Sequence, residues 1–196
     1  MKIFYEVVEK IMDSRDVTVG GGSASAVAGA MAAGLVGMVS RLSVGKEYGL
    51  PDERYLEIAE ELDELAVQLK EGAVEDTRSY LGIKAAFALP KATDEQKSAR
   101  RAAIESAAIK AANVPLENGR AALRILEFCR EMDGKFNPAA SSDMEAGVLL
   151  AEMAVKDTAL NVEANLSLIK TPEINEELAR SARGRKAVSY THLTLP

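Results

Sequence analysis

Val19-Gly20-Gly21-Gly22-Ser23-Ala24-Ser25 opens a stretch that carries no charged residue until after Ser40. Three consecutive glycines let the backbone adopt φ > 0 and let a ligand approach the main chain closely. Ser23 or Ser25 is placed to N-cap a helix behind them, with free N–H groups and a positive dipole end facing the glycines. Such a terminus cradles an anion or a polar ligand. A plain turn ahead of a buried helix explains the glycines as well. The helix itself decides the fold. Its 18 uncharged residues, 23–40, just reach the length of a membrane span. Ala and Gly dominate it, however, and no aromatic anchors flank it. A helix that is apolar all round is otherwise one buried on all sides. Small residues recur in two rows, Gly29, Ala33, Gly37 and Ala26, Ala30, Gly34, which let neighbouring helices come close. Burial on every side is easier when a second subunit covers one face. A homodimer is therefore expected, and a membrane partner is not.

Helical signals continue in both directions. Residues 2–13 place Ile3, Val7, Val8 and Ile11 on one stripe. Gly45 to Pro51 reads as a loop carrying Lys46, and Pro51 suits a first helical turn. A long helix then runs to about Phe87, with Gly72 and Gly82 as possible bends. Leu89-Pro90-Lys91-Ala92 breaks the pattern. Thr93 or Asp94 caps the next helix, which runs to about Asp133 and carries Pro115, a residue that should kink or split it. Gly134 suits the position after a helix end. A further helix over 143–168 opens at Ser141 or Ser142, and a polar one over 173–186 follows Thr171-Pro172. No strand, repeat or long linker is legible. The expected class is all-α, a single-domain antiparallel helical bundle.

Composition excludes several functions. The 196 residues suffice for one domain with a real core. A formal charge of −6 argues against nucleic acid as a partner. The single cysteine, Cys129, excludes an internal disulfide and a Cys-rich metal site, and its apolar surroundings mark it as a core thiol. No basic-then-apolar leader is visible, so a cytoplasmic location is expected. The tail is anomalous. Val188-Ser189-Tyr190-Thr191-His192-Leu193 breaks the preceding charged pattern and matches a translated transposon end of the kind used in sequencing-library adapters. Residues 188–196 are accordingly set apart from a domain of residues 1–187, a frayed natural terminus being the alternative. The only histidine, His192, falls in this tail, so histidine acid–base and metal chemistry drop out and no metal site is expected.

Several local patterns combine in order: Gly20-Gly21-Gly22-Ser23-Ala24-Ser25-Ala26; Glu75-Asp76 ahead of Tyr80; Leu89-Pro90-Lys91-Ala92-Thr93; Pro115-Leu116; Asn137-Pro138 before Ser141-Ser142-Asp143; and Ala159-Leu160-Asn161-Val162-Glu163-Ala164-Asn165-Leu166. Over residues 2–170 the chain resembles the cyclodeaminase/cyclohydrolase family. The resemblance implies an all-helical homodimer with a folate site in a cleft near the subunit interface. It implies conversion of 5-formiminotetrahydrofolate to 5,10-methenyltetrahydrofolate and ammonia, or the hydrolytic interconversion of methenyl and formyl forms. Family members commonly carry prolines on either side of the threonine before the glycines, where this chain has Val17 and Val19.

That chemistry needs a proton for the departing nitrogen and a carboxylate against developing positive charge, and no cofactor beyond tetrahydrofolate as substrate. Asp76, Asp143 and Lys91 are the catalytic candidates. Gly20, Gly21, Gly22, Ser23, Lys46 and Asn161 are the substrate-binding candidates. Asp76 shares a helix face with Tyr80; its plain alternative is a solvated carboxylate. Asp143 sits in a first helical turn, where dipole stabilisation is the plain alternative. Lys46 and Lys91 are suited to a glutamate tail, single or extended, or to a ring oxygen; exposed lysines are their plain alternative. Asn161 and Asn165 share a face, and Asn161 is suited to the pterin or to an inter-helix bond. Arg100-Arg101 suits a polyglutamate tail or a solvated face. A non-catalytic folate-binding helical dimer is the competing class, and a structural bundle or adaptor is the third.

Overall fold

The computed structural model describes residues 2–192, with side chains as far as Arg183. Its elements are α1 (Lys2–Met12), α2 (Gly21–Leu42), α3 (Asp52–Phe87), α4 (Asp94–Glu131), a 3-10 turn (Pro138–Ala140), α5 (Ser141–Leu166) and α6 (Pro172–His192). Short connections force consecutive helices to run antiparallel. Helix α2 packs on α3 and α5, and α4 packs on the same two, so α2–α5 form a four-helix bundle. Helix α1 lies across α3 and α2, and α6 closes the side of α5 and α4. Backbone of α6 runs into the anomalous tail as far as His192, and residues 193–196 lie outside the described residues.

Helix lengths position the site. Helices α3 and α4 have 36 and 38 residues, against 22 in α2 and 26 in α5. At 1.5 Å per residue the long pair spans ~55 Å and overhangs the short pair. The N-terminus of α2 therefore sits partway along α3, where the chain from α1 arrives.

The main core lies between α2, α3, α4 and α5 around Tyr55, Ile58, Leu62, Ile125 and Phe128. Smaller clusters seat α6 on Leu116 and Val162, and α1 on Ala26 and Ala73. The small-residue rows of α2 serve close approach: a Cβ at Gly29 would lie 3.1 Å from Leu69 Cδ1, and one at Gly37 3.5 Å from Leu62 Cβ. Helix α2 is long and apolar enough to cross a membrane, yet 12 of its 22 residues are buried within this bundle.

Two local expectations change. Helix α2 begins at Gly21 with Gly20 as its N-cap and no side-chain cap bond, so neither Ser23 nor Ser25 caps it. Both serines are buried inside the first turns, and their hydroxyls bond elsewhere. Pro115 does not split α4, which runs through it unbroken. At Gly72, within the expected long helix α3, the Asn118 side chain of α4 occupies the space a Cβ would fill. Thr93, by contrast, caps α4 in a full capping box with Gln96, and Gly134 takes φ +66° in the turn after α4.

Candidate active site

A cleft of about 400 Å³ opens between the start of α2, the middle of α3 and the second half of α5. That volume is in the range of small-molecule sites. Gly20, Gly21, Gly22, Asp76 and Asn161 line it together with Tyr80 and Asn165. The loop entering it is shaped by Asp16, whose carboxylate accepts from the Thr18 N–H at 2.7 Å and from the Thr18 hydroxyl. An Asx turn thus organises the segment between Val17 and Val19. These bonds hold the Asp16 carboxyl below the usual carboxylate range.

Gly22 is glycine for a steric reason. A Cβ at that position would collide with the Asp76 carboxyl, 2.7 Å from Cγ and 2.8 Å from Oδ2. Asp76 therefore rests directly on the first turn of α2, where N–H groups are free and the dipole is positive. The buried Ser23 hydroxyl lies 2.8 Å from Asp76 Oδ2, 3.0 Å from the Ala73 carbonyl and 3.0 Å from the Thr77 hydroxyl. One hydroxyl hydrogen cannot serve both Ala73 and Asp76. The Ala73 carbonyl also receives the Thr77 hydroxyl at 3.4 Å, so the Ser23 hydrogen is available to Asp76 Oδ2, the shorter of its two contacts. Desolvation raises the Asp76 pKa, with the nearby Asp157 charge adding to it and the Ser23 hydrogen bonds opposing it.

Asp157 is the residue that sequence reading missed. Its Oδ2 lies 3.2 Å from where a Gly21 Cβ would stand, so adjacent glycines accommodate two carboxyl groups from two different helices. Its signal was position alone: Asp157, Asn161 and Asn165 succeed one another at i, i+4 on α5. Asn161 donates to the Asp157 carbonyl at 2.8 Å and to Asp157 Oδ2 at 3.0 Å. Asn165 donates to the Asn161 carbonyl at 2.8 Å.

The other candidates lie apart from this cleft within one chain. Lys46 is exposed in the loop after α2, beyond Leu42. Leu42 is itself 21 residues, or ~31 Å of helix, from Gly21. Asp143 occupies the first turn of α5, 18 residues or ~27 Å before Asn161. Lys91 is exposed past the end of α3, at the same end of the bundle as the cleft but ~16 Å or more beyond Asp76. Arg100 is engaged with the end of α3, donating to the Phe87 carbonyl at 3.0 and 3.2 Å. Burial pushes the Cys129 thiol up to about 12, which leaves it a core residue rather than a nucleophile.

Residues 4–184 match the family model described as formiminotransferase-cyclodeaminase. The chain belongs to the formiminotransferase-cyclodeaminase family. Among its relatives is a methenyltetrahydrofolate cyclohydrolase from Methylorubrum extorquens, 33% identical over 183 residues, which covers 91% of this chain and 88% of that protein. A formimidoyltransferase-cyclodeaminase from Gallus gallus is 26% identical over 172 residues; the match covers 87% of this chain but 32% of that longer protein. The family fold is shared with the solved formiminotetrahydrofolate cyclodeaminase of Thermotoga maritima, at TM-score 0.79 and 22% identity over 91% of this chain and 86% of that one.

Proposed function

We propose that the chain is a folate one-carbon enzyme that opens or closes the carbon bridge between N5 and N10 of tetrahydrofolate, as a formiminotetrahydrofolate cyclodeaminase. The observation that carries this reading is Asp76, a buried carboxyl whose pKa is raised, seated on the α2 N-terminus inside a ligand-sized cleft. In cyclodeamination N10 attacks the formimino carbon and a C–N bond forms. Two protons convert the departing nitrogen into ammonia, one from N10 and one from Asp76. The methenyl product is cationic, and the Asp76 carboxylate left behind, together with Asp157, supplies compensating charge. Gly20 to Gly22 allow the ligand close to the backbone, Ser23 positions Asp76, and Asn161 faces the ligand.

Cyclohydrolase activity is the second reading, favoured by the 33% identical relative of nearly equal length. There water adds to the methenyl carbon, one of its protons passes by way of Asp76 to the nitrogen that is released, and the other goes to solvent. Incubation with 5-formimino- and with 5,10-methenyltetrahydrofolate separates the two. Methenyl absorbance rising with ammonia release is expected for the first, and loss of methenyl absorbance without ammonia for the second. Neither change, with folate bound, leaves a non-catalytic binding protein.

The working unit in this proposal is a homodimer. Neighbouring helices α2 and α5 turn Met31, Met38 and Leu42, and Leu149, Met153 and Leu160, outward at 38–59% exposure. Such an apolar surface suits a second copy of the same chain. A second copy is also what would bring Lys46 or Asp143 near a cleft that lies far from them within one chain. Size-exclusion with light scattering is expected to give twice the chain mass, and Met38→Glu with Leu149→Glu to give a monomer. A monomeric wild type would refute the dimer.

A further inference from the structure

The two asparagines of α5 present a fixed polarity to the cleft. Both hydrogens of the Asn161 amide are taken by Asp157, through its carbonyl oxygen and its carboxylate. The Asn165 amide nitrogen is likewise directed inward, to the Asn161 carbonyl at 2.8 Å and the Ala111 carbonyl at 3.4 Å. Rotating either amide by half a turn would set an oxygen against these oxygens at the same distances, so the assignment of N and O follows from the partners. Both residues line the cleft. Among the described residues no hydrogen bond to either Oδ1 is seen, and neither is among the buried side-chain atoms without a partner, so both oxygens are accessible on residues that line the cleft. The wall therefore offers two acceptors and no amide donor.

We propose that Asn161 and Asn165 act as a paired acceptor that selects a ligand edge carrying N–H donors at both ends, which in a folate is the N3–H and 2-amino group of the pterin. This rests on the folate reading above and names how that site recognises its substrate. One helical turn, ~6 Å of rise, separates the two side chains. That spacing suits the divergent N3–H and outer amino N–H better than a single bidentate pair. A ligand edge with an acceptor in either place would meet oxygen with oxygen and be rejected, because a buried acceptor left unpaired is costly. Asp157 is then a positioning residue: it consumes the Asn161 donors and so fixes which atom faces the ligand. Asn165→Ala leaves the Asn161 carbonyl its helical bond but withdraws a 3.4 Å donor from the Ala111 carbonyl, whose i+4 residue, Pro115, has no N–H. Circular dichroism on the variant therefore accompanies the binding measurement, and the desamino ligand tests the same contact on the intact wild type.

The test is a binding cycle by calorimetry, with 5-formyltetrahydrofolate and its 2-desamino-2-methyl counterpart, on wild type and Asn165→Ala. The natural ligand is expected to bind Asn165→Ala about tenfold more weakly, one net hydrogen bond to a desolvated edge. The desamino ligand is expected to bind wild type about tenfold more weakly as well. Tight folate binding by wild type with neither loss would overturn the acceptor pair while leaving the folate reading intact. A loss on Asn165→Ala with no penalty for the desamino ligand would overturn the assignment of this edge. Failure of wild type to bind either folate would overturn both.

Discussion

Asp76→Asn is expected to cut turnover by ~10³-fold while leaving the helical fold intact and raising the melting temperature at neutral pH. The kinetic loss follows from removing the one cleft carboxyl placed to give a proton, since general acid catalysis supplies 10²–10⁴-fold. The stability gain follows from linkage. Burial raises the Asp76 pKa in the folded state, so the folded protein holds this proton at pH values where the unfolded chain has lost it. Stability then falls as pH rises from the ordinary aspartate value through the raised folded value, and the full penalty persists above it. Asparagine keeps an oxygen for the Ser23 hydroxyl and carries no charge, so it escapes the penalty. The difference in melting temperature between variant and wild type is expected to grow with pH over that window and vanish below it. Methenyl absorbance with ammonia release, and circular dichroism across pH, measure the two halves. Near-normal turnover in the variant removes Asp76 from the chemistry. A variant less stable at every pH would mean that the carboxyl is charged and satisfied in the fold.

Gly22→Ala is expected to lower activity by ~10²-fold and stability by about 1–3 kcal/mol, the usual range for forcing an atom into a filled space. The added methyl has nowhere to go except into the Asp76 carboxyl. Either the carboxyl leaves its seat on the α2 N-terminus or α2 moves away from α3. In both cases the proton donor is displaced, and displacements near 1 Å cost rates of this order. Gly20→Ala is the control. A Cβ there meets nothing within 4 Å, and Gly20 has extended φ and ψ of −131° and −159° that alanine adopts freely. Its stability is expected to stay within ~0.5 kcal/mol of wild type. Urea titration and steady-state rates on the two variants decide the matter. Equal behaviour would show that the triple glycine serves only as a turn.

The glycines illustrate how much the sequence conveys. Their cluster ahead of an uncharged small-residue helix signalled a close approach, but not what approaches. Gly22 admits the Asp76 carboxyl from α3 and Gly21 admits Asp157 from α5, whereas Gly20 admits nothing. Ser23 was legible as a polar residue at a helix start; its burial and its bond to Asp76 depend on α3 packing over it. Asp157 was passed over because a lone carboxylate on a helix looks like every other one until α2 is laid against it.

Periodicity and breakers are local properties, and they determined the helices, their antiparallel order and the all-α class, because hydrophobic spacing and capping act within a few residues along the chain. Which carboxyl meets which glycine is a property of helix length and register. Lys46 and Asp143 share the family-like order of motifs with Asp76, yet rigid helices of known rise hold them ~27 Å or more from its cleft within one subunit. That separation is invisible to motif order and was decided only when the helices were packed.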